Sequence, residues 1–167
     1  INLEKQVYFE IIKNKTASLL SSACAAGAWS TTQDKTITEK MKIFGEKTGI
    51  AFQIKDDLFD YGNQDIGKPT GNDIKEKKLT LPLIYTLNKV DKPTKRQIIN
   101  IIKNENKNTS KVKEVIAIVQ QTGGISYAEQ KMNAYKLEAL DILNQFPQGE
   151  VRDTLENLVK FTTERKY

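Results

Sequence analysis

Phe52-Gln53-Ile54-Lys55-Asp56-Asp57-Leu58-Phe59-Asp60 sets three carboxylates into a stretch that is otherwise largely apolar. At about 100° per residue, a helix through it gathers Asp56, Asp57 and Asp60 into one sector, with Gln53 one turn earlier. Lys55 points nearly opposite and cannot neutralise them. Phe52 and Phe59 on one flank, and Ile54, Leu58 and Tyr61 on the other, have the character of side chains buried against neighbouring helices. A solvated surface helix would not carry aromatics on both flanks, so the acidic sector is expected to face a cavity. Like charges at i,i+4 cost an exposed helix roughly 0.2–0.5 kcal/mol, and a divalent cation reverses that sign.

The spacing excludes an EF-hand, whose loop needs a Glu at its twelfth position; counting from Asp56 or Asp60 lands on Gly67 or Gly71. Magnesium fits better, because it keeps several waters and takes one or two carboxylates together with substrate phosphates. Phosphate-binding groups lie close by on both sides. Downstream, Gly62 to Lys78 is a glycine-containing loop dense in lysine, and it leads into the apolar Leu79-Thr80-Leu81-Pro82-Leu83. Thr80 is expected to cap that next helix, with Pro82 in its first turn, where a missing N–H costs little. Lys75 and Lys77 read as solvated. Upstream, Tyr8 to Leu20 has helical spacing with Ile12, Leu19 and Leu20 in one apolar sector, interrupted by Lys15-Thr16. A lysine supplies charge and a hydroxyl a directional donor, and together they suit a phosphate oxygen.

In this order the motifs resemble those of the trans-polyprenyl diphosphate synthases, the group of octaprenyl, heptaprenyl, geranylgeranyl and farnesyl diphosphate synthases. Lys15-Thr16-Ala17, leading to Ala25-Ala26-Gly27-Ala28, looks like that family's Lys-Thr-Ala helix. Gly49 to Ile54 followed by Asp56-Asp57-Leu58-Phe59-Asp60 is similar to its second aspartate-rich motif. Gly67-Lys68-Pro69-Thr70-Gly71-Asn72-Asp73-Ile74 is similar to its Gly-Lys-Pro-x-Gly-x-Asp-Ile loop. The likeness extends from Tyr8 to the C-terminus. It departs where the family usually has Glu-Gly-Lys and this chain reads Glu76-Lys77-Lys78, so that Lys78 aligns with the family lysine and Lys77 stands at the glycine. No second Asp-Asp-x-x-Asp occurs, and Ile1-Asn2-Leu3-Glu4 reads as a cut into a longer protein. Residues 1–167 are therefore expected to be the C-terminal half of a single synthase domain whose N-terminal half is absent.

The resemblance implies an all-α fold, antiparallel helices around a central cavity, and a prenyltransferase that joins an allylic prenyl diphosphate to isopentenyl diphosphate with Mg2+ as cofactor. Carried over residue by residue, it puts Asp56, Asp57 and Asp60 on the metal and Lys15, Thr16, Gln53, Lys68 and Lys78 on the allylic diphosphate, with Asp73 ordering the loop. It implies a cytoplasmic homodimer. The alternative is a non-catalytic subunit of a heteromeric prenyltransferase, although such subunits often lose aspartates or lysines of the second motif and here all are present. By itself the chain is expected not to elongate prenyl chains, since the first aspartate cluster and the isopentenyl diphosphate site are missing.

Composition narrows the alternatives. No apolar run approaches the roughly 20 residues that span a bilayer, so no stable membrane insertion is expected. The net charge of +5 comes from dispersed lysines without interleaved aromatics, which argues against nucleic acid. Cys24 is the sole cysteine and reads as a small packing residue among alanines. The absence of histidine removes His-ligated zinc and triad chemistry from this segment. Helices are expected from a Thr36/Glu39 capping box through Asp60, from a Thr94 cap over Gln97–Ile102, from Ser110 to Gln121 ending at Gly123, from Ile125 to Phe146, and from Val151 to Arg165.

Overall fold

The computed structural model describes residues 5–62 and 70–165, and every regular element among them is helical. In chain order these are α1 (Lys5–Ile12), a π-helical turn (Lys13–Ala17), α2 (Ser18–Thr32), α3 (Lys35–Phe59), the short α4 (Asn72–Lys75), α5 (Leu81–Lys89), α6 (Lys92–Asn104), α7 (Thr109–Gln121), α8 (Gly124–Leu143) and α9 (Glu150–Glu164). The all-α expectation is met. No helix among the described residues is long and apolar enough to cross a membrane.

Helix starts are set by carboxylate and amide oxygens and not by the expected hydroxyls. Asp34 Oδ1 accepts the N–H groups of Thr36 at 2.7 Å and Ile37 at 3.1 Å, so Asp34 caps α3 rather than Thr36. Asp91 caps α6 by accepting the N–H of Thr94 at 3.0 Å, which makes Thr94 the capped residue and not the cap. Asn108 does the same for α7. In each case a carboxylate or amide oxygen just ahead of the helix takes the orphan donors of its first turn. Thr80 does occupy the residue before α5, but its hydroxyl is bonded to Tyr61 at 2.6 Å and caps nothing. Gly123, at φ +78°, ends α7 as its sequence position implies. Helix α8 stops at Leu143, short of Phe146.

The described residues fall into two compact units, one of residues 5–8, 56–62 and 70–129, the other of residues 9–55 and 130–165. The first is built on an aliphatic core in which Ile74, Leu83, Leu87, Ile98, Val112 and Val115 pack around the buried ring of Tyr61. Each such side chain contributes roughly 1.5–3 kcal/mol on leaving water. This core fixes the end of α3 against α4, α5 and α7.

The second unit has a smaller core of Phe44, Ala139, Leu143 and Val159, against which Cys24 packs as a half-buried neighbour. Within it, Gly45 and Gly49 bring α3 close to the helix that carries Ala17 and Ser21. A Cβ on Gly49 would lie 2.5 Å from Ala17 Cα, and one on Gly45 2.5 Å from the Leu20 carbonyl oxygen. Ser21 Oγ donates to the Lys42 carbonyl at 2.9 Å along the same seam. Leu19, Val151 and Phe161 remain largely exposed in this unit, at 72%, 76% and 68%.

Lys77 adopts φ +59°, the left-handed region that costs an L-residue roughly 1–2 kcal/mol. The family that the chain resembles usually has glycine here, the residue that adopts such a φ at least cost. Lys77→Gly gives up the bond from Nζ to the Lys103 carbonyl and some unfolded-state entropy. A net stabilisation of about 0.5–1 kcal/mol should remain, seen as a melting temperature higher by about 1–3 °C.

Candidate functional site

At its C-terminal end α3 tightens from i→i+4 to i→i+3 bonding, with the Asp60 N–H donating to the Asp57 carbonyl and the Tyr61 N–H to that of Leu58. The three carboxylates emerging here receive different partners. Asp60 is buried, and its two carboxylate oxygens accept the main-chain N–H groups of Asn72 at 2.7 Å and Asp73 at 3.0 Å, while its own carbonyl accepts the Gly71 N–H at 3.0 Å. Asp60 thereby anchors the returning end of the loop. Gly71 permits this at φ +80°, where a Cβ would also collide with Val112. Asp57 is buried too, and its Oδ2 accepts the Tyr8 hydroxyl at 2.6 Å. Asp56 is only half-buried.

These groups share one negative field. Burial, and then the charge of Asp73, push the Asp60 carboxyl above the ordinary aspartate range, and the three main-chain donors do not bring it back. The Tyr61 phenol is likewise pushed up, chiefly by burial, with Asp60, Asp57 and Asp73 all contributing. Asp73 stands in the same turn: its N–H is held by Asp60, its carbonyl accepts the Lys78 N–H at 2.8 Å, and its carboxylate lies 3.4 Å from Lys78 Nζ. Lys78 also pairs with Glu76 at 2.6 Å. Its side chain is half-exposed, and an ion pair in that setting is easily broken. Lys78 can therefore leave Asp73 for a stronger anion.

The donor set consists of hard carboxylate oxygens, the kind magnesium takes. No group of three His, Cys, Asp or Glu among the described residues is gathered tightly enough to hold a metal alone. Magnesium ordinarily takes one or two such carboxylates together with phosphate oxygens and water.

In the second unit, Lys15 and Thr16 lie in the π-helical turn between α1 and α2. Such turns insert one residue and displace the side chains that follow, and they recur at functional sites. Thr16 Oγ1 donates to Gln53 Oε1 at 2.9 Å, so two of the residues expected on the diphosphate meet directly. Lys15 is exposed. Gly49 makes the meeting possible: one turn before Gln53, its missing side chain admits Ala17, the neighbour of Thr16. Lys68 lies outside the described residues. Of the residues brought together, Tyr8 and the Gly45/Gly49 pair had not been assigned a role. The i,i+4,i+8 spacing of Gly45, Gly49 and Gln53 was a usable signal for the close seam. Nothing local marks Tyr8 or the π-turn.

The all-helical fold is of the isoprenoid-synthase kind, and the Polyprenyl synthetase family model matches residues 1–119. The chain belongs to the polyprenyl synthetase family. It is 35% identical over 153 residues to the chloroplastic solanesyl-diphosphate synthase 2 of Oryza sativa subsp. japonica, covering 90% of this chain and 37% of that protein. With heptaprenyl diphosphate synthase component 2 of Bacillus subtilis it shares 29% identity over 170 residues, covering 99% and 48%. The same helical fold occurs in the crystal structure of geranylgeranyl pyrophosphate synthase from Bacteroides thetaiotaomicron, with a TM-score of 0.88 at 35% identity over 97% of this chain and 54% of that one. A polyprenyl synthase from Caulobacter crescentus, crystallised with calcium and isoprenyl diphosphate, gives 0.90 at 30% identity over 99% and 51%. The chain spans about half the length of these relatives, or less.

Proposed function

We propose that these residues supply the allylic-diphosphate side of a trans-polyprenyl diphosphate synthase, which joins an allylic prenyl diphosphate to isopentenyl diphosphate. The supporting observation is the acidic turn itself: Asp57 and Asp60 are held by fixed donors beside Asp73, with Lys78 in an exposed pair that an incoming anion can take over. Asp56, the least buried of the three, is the carboxylate most open to Mg2+, with Asp57 and Asp60 completing or orienting the set. Lys15, Thr16, Gln53, Lys68 and Lys78 bind the diphosphate, the lysines by charge and Thr16 and Gln53 by directed hydrogen bonds. When bound, magnesium stabilises the negative charge that develops on the leaving diphosphate. Calcium together with isoprenyl diphosphate in the Caulobacter crescentus relative supports this pairing of a hard cation with a prenyl diphosphate.

In this reading the chain is the C-terminal half of a longer helical domain. The largely exposed Leu19, Val151 and Phe161 support it, since apolar surface of that kind belongs against further polypeptide. The complete enzyme is a cytoplasmic homodimer. The name of the Bacillus subtilis relative, a component 2, favours as second reading a subunit that works with a different partner chain. Titration calorimetry with farnesyl diphosphate tests the site: binding should require magnesium and weaken in Lys78→Ala. An affinity indifferent to magnesium would overturn the proposal.

A further inference from the structure

Tyr8 is buried at 6% exposure, Asp57 at 7%, and the hydrogen bond between them joins residues 49 apart in sequence. At 2.6 Å it has the length of a charge-assisted O–H···O⁻ bond, roughly twice as strong as one between neutral groups. We propose that Tyr8 is a positioning residue for Asp57, fixing the carboxylate rotamer in which Asp57 meets a divalent cation. The inference rests on the metal reading above.

The choice of a phenol is what points to this role. A buried carboxylate needing only a structural partner is served best by Arg or Lys, which would cancel its charge and compete with a metal. A phenol orients the carboxylate through one directed hydrogen bond and brings no positive charge of its own, as outer partners of metal-binding carboxylates do.

The test compares Mn2+ binding, followed by electron paramagnetic resonance, in the whole chain, in Tyr8→Phe and in Thr86→Val. The last removes a buried hydroxyl bonded to Thr122 and the Pro82 carbonyl, in the same unit but outside the acidic turn. Thermal melts confirm that each variant folds. Tyr8→Phe should lose about 10–100-fold in Mn2+ affinity, while Thr86→Val keeps the wild-type affinity despite a lower melting temperature. Equal affinity in Tyr8→Phe and wild type, or an equal loss in both variants, would overturn the inference. Absence of Mn2+ binding by the wild type, alone or with inorganic diphosphate, overturns the metal reading and this inference with it. Should Tyr8→Phe not fold, 3-fluorotyrosine at position 8 alters the donor without altering packing, and an unchanged affinity there counts against the role.

Discussion

Asp56→Ala is expected to lower prenyl-transfer turnover by about 10²–10³-fold, the cost of losing one fixed group that stabilises charge in a transition state. The melting temperature should move by only a few degrees. Asp56 is half-buried, and a change of about 1 kcal/mol in a domain this size shifts melting by roughly 2–4 °C. Asp60→Ala should behave differently. It strands the N–H groups of Asn72 and Asp73 in a part-buried turn, costing about 1–3 kcal/mol, so fold stability and turnover fall together. Both are read from isopentenyl diphosphate incorporation by the complete synthase and from melts of each variant. Activity unchanged in Asp56→Ala would remove Asp56 from the metal set.

Gly49→Ala is expected to destabilise the chain by about 1–3 kcal/mol, whereas Gly27→Ala should stabilise it by about 0.5–1 kcal/mol. Both glycines sit inside helices, where alanine is intrinsically preferred. Around Gly27 nothing lies within 4 Å of a built Cβ, so the propensity gain is realised. At Gly49 the Cβ meets main-chain atoms of Ala17 at 2.5 Å, and backbone cannot rotate aside as a side chain can. Relief requires the two helices to part, which lengthens the Thr16–Gln53 bond at the next turn. Gly49→Ala should therefore weaken allylic diphosphate binding as well. Denaturant midpoints of the two variants, displaced in opposite directions from wild type, provide the check; displacement in the same direction would refute the close seam.

Much of the helical fold was legible because helix periodicity is a local property. The placing of Asp56, Asp57 and Asp60 at the end of one long helix, the likeness of the loop to a lysine-bearing family motif, and the end of α7 at Gly123 all follow from spacing within a few residues. The caps were not legible, because Asp34 and Asp91 precede the hydroxyls of Thr36 and Thr94, and which acceptor serves depends on the backbone N–H groups that face it. The departure at position 77 has a physical consequence only through the left-handed φ of Lys77, which the sequence does not reveal.

From the sequence alone came an all-helical chain, a face of carboxylates seeking a cation, and a Lys-Thr pair with a lysine loop suited to diphosphate. Tertiary structure alone decided how those like residues differ. It gave Asp60 to the main chain of residues 72 and 73, gave Asp57 to Tyr8, and left Asp56 the most exposed of the three. It also set Thr16 against Gln53 through a π-turn and a glycine seam. The physical reason is that a helix repeats its geometry every few residues, while the partner of a buried polar group is chosen by what the rest of the chain brings beside it.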